Sequence, residues 1–299
     1  MINFLNLRYF VRVAEEKNIT RVAEQEHISQ QSLSSHIKKI ESQYGVQLFD
    51  RTSGFELTYA GEQLYRYATQ FLSLKDDMEN EFSDLTGSEQ GSLRLGISYT
   101  RGAVFFPEIL PRFCKENPFI KVSISENNSQ VLEEFLLHGH IDLYIGTDLK
   151  PHPEIETVEL MEERLYFVIP KSIATHLTSE TIGILELKTL PFLLLTKGNR
   201  IRDTFDEYMS RENCEIKPVL ETENIETLFE LACKGMGVTV YPEMFFKRHK
   251  ILIASENCPV FIRPMNVKKG SILSIGYRRN KYISHAAKRF IALATEIMK

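Results

Sequence analysis

In the stretch ISQQSLSSHIKKIESQYGVQLFDRT, residues 28 to 52, amides, hydroxyls and cations recur at helical spacing. At about 100° per residue, Leu33, Ile37 and Ile40 fall on one side of a helix and Gln31, Ser34, Ser35 and Lys38 on the other. The first side packs, and the second carries donors and acceptors suited to a DNA groove. A glutamine amide such as that of Gln30 or Gln31 can pair with adenine through two hydrogen bonds. Ser32, Ser34 and Ser35 can address bases or phosphates and are small enough to let the backbone approach the groove floor. Lys38 and Lys39 can neutralise phosphates, and Arg51 is placed to reach flanking backbone or the minor groove. The same residue types opposite an apolar stripe also describe a solvated helix face, so the neighbouring elements must decide.

A second set of polar residues falls where strands end: Ser98-Tyr99-Thr100-Arg101, Asn127-Asn128-Ser129, Thr147, Thr196-Lys197-Gly198-Asn199 and Val238-Thr239. In open α/β sheets, ligands bind outside the carboxyl ends of strands, where helix N-termini present free N–H groups. Arg101, Lys197 and Arg202 lie near these loops and favour an anion such as a carboxylate. Cations beside a loop are equally common as solvated surface, and Ser98 and Thr239 also suit caps or turns.

The elements that position these residues follow from periodicity. Leu7, Phe10, Val11 and Ala14 predict a helix from about Leu5 to Glu16, ended by Lys17-Asn18. Thr20 and Ser29 are candidate caps for two further helices, with Glu26-His27-Ile28 a tight turn between them. GVQLFDRTSGFELT then reads as a two-stranded wing, which completes a winged helix-turn-helix. From Ala60 to about Thr86, two heptad series, Leu64/Phe71/Met78/Leu85 and Ala60/Tyr67/Leu74, predict a coiled-coil seam; a long core helix is the alternative. Asp76, Asp77, Glu79 and Glu81 surround it. GSEQG is a linker, and beyond it strands and helices alternate twice, which predicts two α/β lobes with a cleft between them. Within this region GAVFFPEILPRFCKENP reads as a helix broken near its prolines, and the last strand and helix are expected to return to the first lobe.

Charge is unevenly spread along the 299 residues. Residues 1–60 carry 7 basic and 7 acidic side chains, 61–90 carry 2 and 7, and 91–299 carry 27 and 26. With a net charge of -4, DNA binding must rest on a local basic face. The N-terminus lacks the features of a secretory signal and no segment has the roughly 18 apolar residues that span a bilayer, so a cytoplasmic protein with no membrane partner is expected. Four cysteines, Cys114, Cys214, Cys233 and Cys258, form no CxxC motif and read as buried thiols, with a redox pair led by Cys214 as the alternative.

The order of parts resembles a LysR-type transcriptional regulator over essentially the full length. LRYFVRVAEEKNITRVAEQEHISQQSLSSHIKKIESQYGVQLFDRT follows the family's helix-turn-helix pattern, and GSLRLGIS, GHIDLYIG and GMGVTVYP fall where its effector domain has equivalents. The resemblance implies a multi-domain fold. It comprises an all-α winged helix-turn-helix domain (1–60), a dimerising linker helix (61–87) and a two-lobed α/β effector domain (91–299) like type 2 periplasmic binding proteins. Lobe I is expected over about 91–163 and 268–299, and lobe II over about 164–267. It also implies double-stranded operator DNA as partner, a homodimer or homotetramer, and a small-molecule effector held near Thr100, Ser129, Thr147 and Thr196. Gln31 stands where the family often has Pro, Ser35 where it often has Arg, and Glu26 where it usually has an apolar residue. The first two lie where bases are read, so the operator is not inherited from relatives.

Other classes fit less well. Neither HExxH, GxSxG, a Walker loop nor GxGxxG after a strand is present, so no catalytic residues are assigned and no enzyme is expected. His138 and His140 beside Asp142 invite a metal, but HGHID closes a helix and opens a strand, so no metal or cofactor is expected beyond the effector. A solute-binding protein needs export and has no use for the first ninety residues. A cysteine-switched regulator keeps the DNA-binding domain and remains the main alternative.

Overall fold

A computed structural model describes residues 3–50, 55–87, 89–175, 182–266 and 270–298. The chain starts with α1 (Phe4–Glu16), α2 (Ile19–Gln25) and α3 (Gln30–Tyr44), followed by the short pair β1 (Phe49–Asp50) and β2 (Glu56–Leu57). Asn3, Asn18 and Ser29 cap the three helices by accepting hydrogen bonds from Asn6, Arg21 and Ser32 N–H groups, each worth about 1 kcal/mol. The cap of α2 is thus Asn18 rather than Thr20. A side chain one residue before the first helical position reaches the free N–H groups, whereas Thr20 already lies inside the first turn. Lys17 ends α1 in the left-handed region and His27 turns the chain between α2 and α3 with φ 53°. Phe10, Val13, Val22, Leu33, Ile37 and Phe49 form the core of this unit, and the N-terminal part of α4 (Tyr59–Leu85) closes it. Gly61 is required there: a Cβ would stand 2.1 Å from the Leu48 carbonyl oxygen.

Beyond α4, the first lobe contains β3 (Gly91–Ile97), α5 (Tyr99–Glu116), β4 (Ile120–Glu126), α6 (Ser129–His138), β5 (Leu143–Thr147) and β6 (Ile155–Glu163). The second contains β7 (Leu165–Pro170), α7 (Ile184–Leu187), β8 (Leu193–Leu195), α8 (Arg200–Arg211), β9 (Leu220–Thr222), α9 (Ile225–Cys233), β10 (Thr239–Pro242), a 3-10 turn (Glu243–His249), α10 (Lys250–Ile253) and β11 (Val260–Pro264). The chain then returns to the first lobe with β12 (Ser271–Arg278) and α11 (His285–Met298).

The two sheets share one plan. Lobe I has the order β4-β3-β5-β12-β6, with β3 parallel to β4 and β5 and β12 antiparallel to β5 and β6. Lobe II has β9-β8 and β10-β7-β11, joined by a parallel bridge between Phe192 and Val238, so its order is the same in kind. In both lobes the strand antiparallel to its neighbours has crossed from the other lobe, which makes the passage from Glu163 to Leu165 and that after Pro264 the hinge.

α5 runs unbroken through Pro107 and Pro111, contrary to the expectation of a break. Each proline forfeits one backbone hydrogen bond. Both prolines are exposed, while the opposite face buries Val104, Phe105, Phe106, Ile109 and Phe113. Burial of five large side chains, about 1.5–3 kcal/mol each, outweighs the lost bonds.

Candidate functional site

The first candidate surface is α3. Leu33, Ile37 and Ile40 are buried against α1 and α2, while Gln31, Ser35, Lys38 and Lys39 are exposed and Ser32 and Ser34 half-buried. Lys38 and Lys39 form no ion pair among the described residues. Gln30 is exposed as well, and its side-chain oxygen accepts from the Thr20 hydroxyl at 3.4 Å, which ties it to α2. Arg51 lies outside the described residues. Two partners orient the helix. His36 Nδ1 lies 2.7 Å from Asn6 Oδ1, and its ring meets Tyr9 edge-on. Burial, with Lys39 nearby, lowers the His36 pKa and favours the neutral ring. Glu26 is held by Arg8 at 3.1 Å and Arg12 at 3.4 Å, so α1 supplies two cations to receive its carboxylate.

The second candidate is the interlobe cleft. Ser98 precedes α5 without a side-chain capping bond, and Tyr99 projects into solvent. Asn128 and Asn199 spend their side-chain oxygens on Val131 and Ile201 N–H groups, so they serve first as caps of α6 and α8. Thr100, Thr147 and Thr196 are half-buried at the ends of their elements. Ser129 hydrogen-bonds Tyr144, whose hydroxyl is raised in pKa chiefly by burial. Thr239 is fully buried, and its hydroxyl oxygen has no hydrogen-bond partner among the described residues.

The structure corrects the choice of cations. Arg101 is 5% exposed and grips Glu163 with Nη1 to Oε1 at 3.2 Å and Nη2 to Oε2 at 2.9 Å. Arg202 is equally buried and bonds Asp206, Glu221 and the Leu195 carbonyl. Neither is free for a ligand. Both are the third residue of their helices, and each side chain is buried against acidic neighbours rather than open to the cleft. The cation that does face the cleft is Arg200, 3.8 Å from Glu133 of the opposite lobe. Arg200 opens α8, directly after the cap Asn199. No sequence signal separates it from Arg101 and Arg202, which also lie in first turns.

His140 is a packed ring rather than a ligand. It stacks on Phe135 at 4.8 Å and tilts against Tyr65 of α4 at 5.8 Å. Burial, reinforced by His138 and Arg94, lowers its pKa to about 4. Cys214 and Cys233 belong to different hydrophobic clusters, and burial pushes the Cys233 thiol up to about 11, away from the thiolate that oxidants attack.

Residues 4–62 match the family model of the bacterial regulatory helix-turn-helix protein, lysR family, and residues 86–299 match that of the LysR substrate binding domain. The chain belongs to the LysR family of transcriptional regulators. This LysR-family chain is 32% identical over 236 residues to the HTH-type transcriptional regulator BbuR of Bordetella bronchiseptica, covering 78% of its own length and 72% of the relative. Full-length OxyR from Pseudomonas aeruginosa superposes with a TM-score of 0.71 at 26% identity, over 100% of this chain and 98% of that one. CbnR complexed with its target DNA has the same fold, with a TM-score of 0.70 at 22% identity over 99% of both chains. The molecule is therefore a DNA-binding transcriptional regulator with an effector-binding domain. Among the described residues, no helix is long and apolar enough to cross a membrane.

Proposed function

We propose that this regulator reads its operator through Gln31, Ser34 and Ser35, while Lys38 and Lys39 hold the flanking phosphates. The observation that carries the reading is the division of α3 into a buried aliphatic side and an exposed polar side whose lysines form no ion pair among the described residues. A base reader and a phosphate anchor differ in what their loss does. Gln31→Ala is expected to reduce binding to the operator while leaving random DNA unaffected. Lys38→Ala is expected to weaken both and to lower the salt slope by about 0.9. Equal losses on specific and random DNA for Gln31→Ala remove the base-reading role.

Effector control is assigned to the cleft between the lobes, with Thr100, Ser129, Thr147 and Thr196 around it and Arg200 in place of Arg101 and Arg202 as the cation. A small carboxylate or similar anion competes with Glu133 for Arg200 and sits at helix N-termini. A thermal-shift series of small organic acids tests this; stabilisation by neutral or cationic compounds alone excludes an anion. Self-association is assigned to α4, whose exposed Tyr67, Phe71, Leu74, Met78, Phe82 and Leu85 form an uncovered apolar stripe. The protein acts in the cytoplasm, without catalytic activity and without a cofactor beyond the effector. The raised Cys233 thiol favours this effector reading over a cysteine switch.

A further inference from the structure

A cavity of about 580 Å3 lies where the two lobes of the effector domain meet, and its lining shares no residue with the strand ends assigned to the cleft. Its walls come from both lobes: Met161 of β6 and Ile297 and Met298 of α11 from the first, Met244 and Phe246 of the 3-10 turn and Ile253 of α10 from the second. Volume and lining fall in the range of small-molecule sites, and three methionines give walls that adapt to an apolar body.

The charges at its mouth balance formally but are unequally engaged. Glu243 accepts a hydrogen bond from the Tyr166 hydroxyl, and Lys247 pairs with Glu108 at 3.2 Å. Lys250 is exposed and makes no ion pair among the described residues. An occupant that fits both features has an apolar body and one negative charge.

We propose that this cavity is a second ligand site, separate from the interlobe cleft, that takes an amphipathic carboxylate with its apolar part among the methionines and its charge on Lys250. Its position links it to the hinge. Arg101 Nη1 contacts Met244 Sδ at 3.6 Å while holding Glu163 at the end of β6. A ligand that displaces Met244 of lobe II therefore acts on the Arg101–Glu163 pair of lobe I, which sits where β6 passes into the hinge.

The test uses the full chain labelled with 13C in its methionine methyl groups, and decanoate below its micellar range as the probe. The methyl signals of Met161, Met244 and Met298 are expected to move saturably, and that of Met209 in the core of lobe II to stay in place. Lys250→Ala is expected to weaken decanoate about fivefold, the equivalent of about 1 kcal/mol for a partly solvated ion pair, and to leave decanol unchanged. Ala254→Trp, on the exposed rim, is expected to block both probes. An unchanged melting temperature and an unshifted Met209 methyl signal show that each variant is folded. The proposal is overturned if the three methyl signals do not move by millimolar decanoate, if their shifts persist in Ala254→Trp, or if decyltrimethylammonium binds as well as decanoate.

Discussion

The buried pair Arg101–Glu163 gives the sharpest quantitative expectation. Both side chains are almost fully excluded from solvent, at 6% and 1% exposure, and meet through two hydrogen bonds. The cation also lies 5.3 Å from the centre of the Phe245 ring. Deleting one member strands the other charge in a low-dielectric interior, at a cost of about 3–5 kcal/mol. For a domain of this size, each kcal/mol lowers Tm by about 2–4 °C. Arg101→Met is therefore expected to lower the melting temperature of the effector domain by about 6–20 °C, and Glu163→Gln to do nearly as much because the guanidinium stays charged. The double variant Arg101→Met/Glu163→Leu replaces a pair by apolar volume and is expected to recover most of the loss. Calorimetry on the parent, Arg101→Met, Glu163→Leu and the double variant closes the cycle. A single-variant loss below about 1 kcal/mol, or strictly additive losses, refutes the claim that the two charges depend on each other.

Two other perturbations follow from the same geometry. His140 has its folded pKa depressed from 6.5 to about 4 by burial, so the unfolded chain binds a proton that the native chain refuses. The neutral ring's contribution is complete above pH 6.5 and is lost as pH falls toward 4. Because the ring is partly solvated, we discount the effect to about 2 kcal/mol. Urea unfolding at pH 7.5 and 4.5 should show His140→Phe losing less stability on acidification than the parent, and an identical loss in both removes the assignment. Arg200→Ala breaks a partly exposed cross-cleft pair and should cost under about 1 kcal/mol of stability, yet reduce stabilisation by an anionic effector severalfold. Equal thermal shifts in parent and variant remove Arg200 from the effector site.

The sequence made the apolar skeleton legible because periodicity reports burial directly. The packing role of Leu33, Ile37 and Ile40 and the alternation of strands and helices follow from spacing alone. Partner choice was not legible. Arg101 and Arg202 look like Arg200 in a string of letters, and only the fold shows that Glu163, Asp206 and Glu221 lie within reach of the first two. Pro107 and Pro111 misled for a related reason. Their local cost is readable in sequence, but the burial that offsets it depends on α11 and the 3-10 turn, nearly 200 and 140 residues away.

The acidic run of α4 shows how a local pattern gains its meaning from a distant strand. Read alone, Asp76 and Asp77 are the solvated flank of a heptad helix. In the fold, Arg94 of β3 reaches Asp76 at 3.5 Å, Asp77 at 3.6 Å and Asp142 at 2.6 Å. Lys281 adds a contact to Asp77 at 3.1 Å, and Asp84 accepts from Tyr282 and from the His285 N–H. Asn80 pairs with the backbone of Ser92 in both directions, as donor and acceptor. One side of the linker helix is thus fastened to lobe I by charge, and the other side presents its apolar stripe. The negative excess of residues 61–90 therefore belongs to the joint between the DNA-binding unit and the effector domain. Arg278 of β12 also lies 3.6 Å from Asp77, so a motion of β3 or β12 relative to α4 must strain Arg94, Arg278 or Lys281 before it reaches α3. That makes these three cations the first place where an effector-driven change in lobe I can be passed toward DNA.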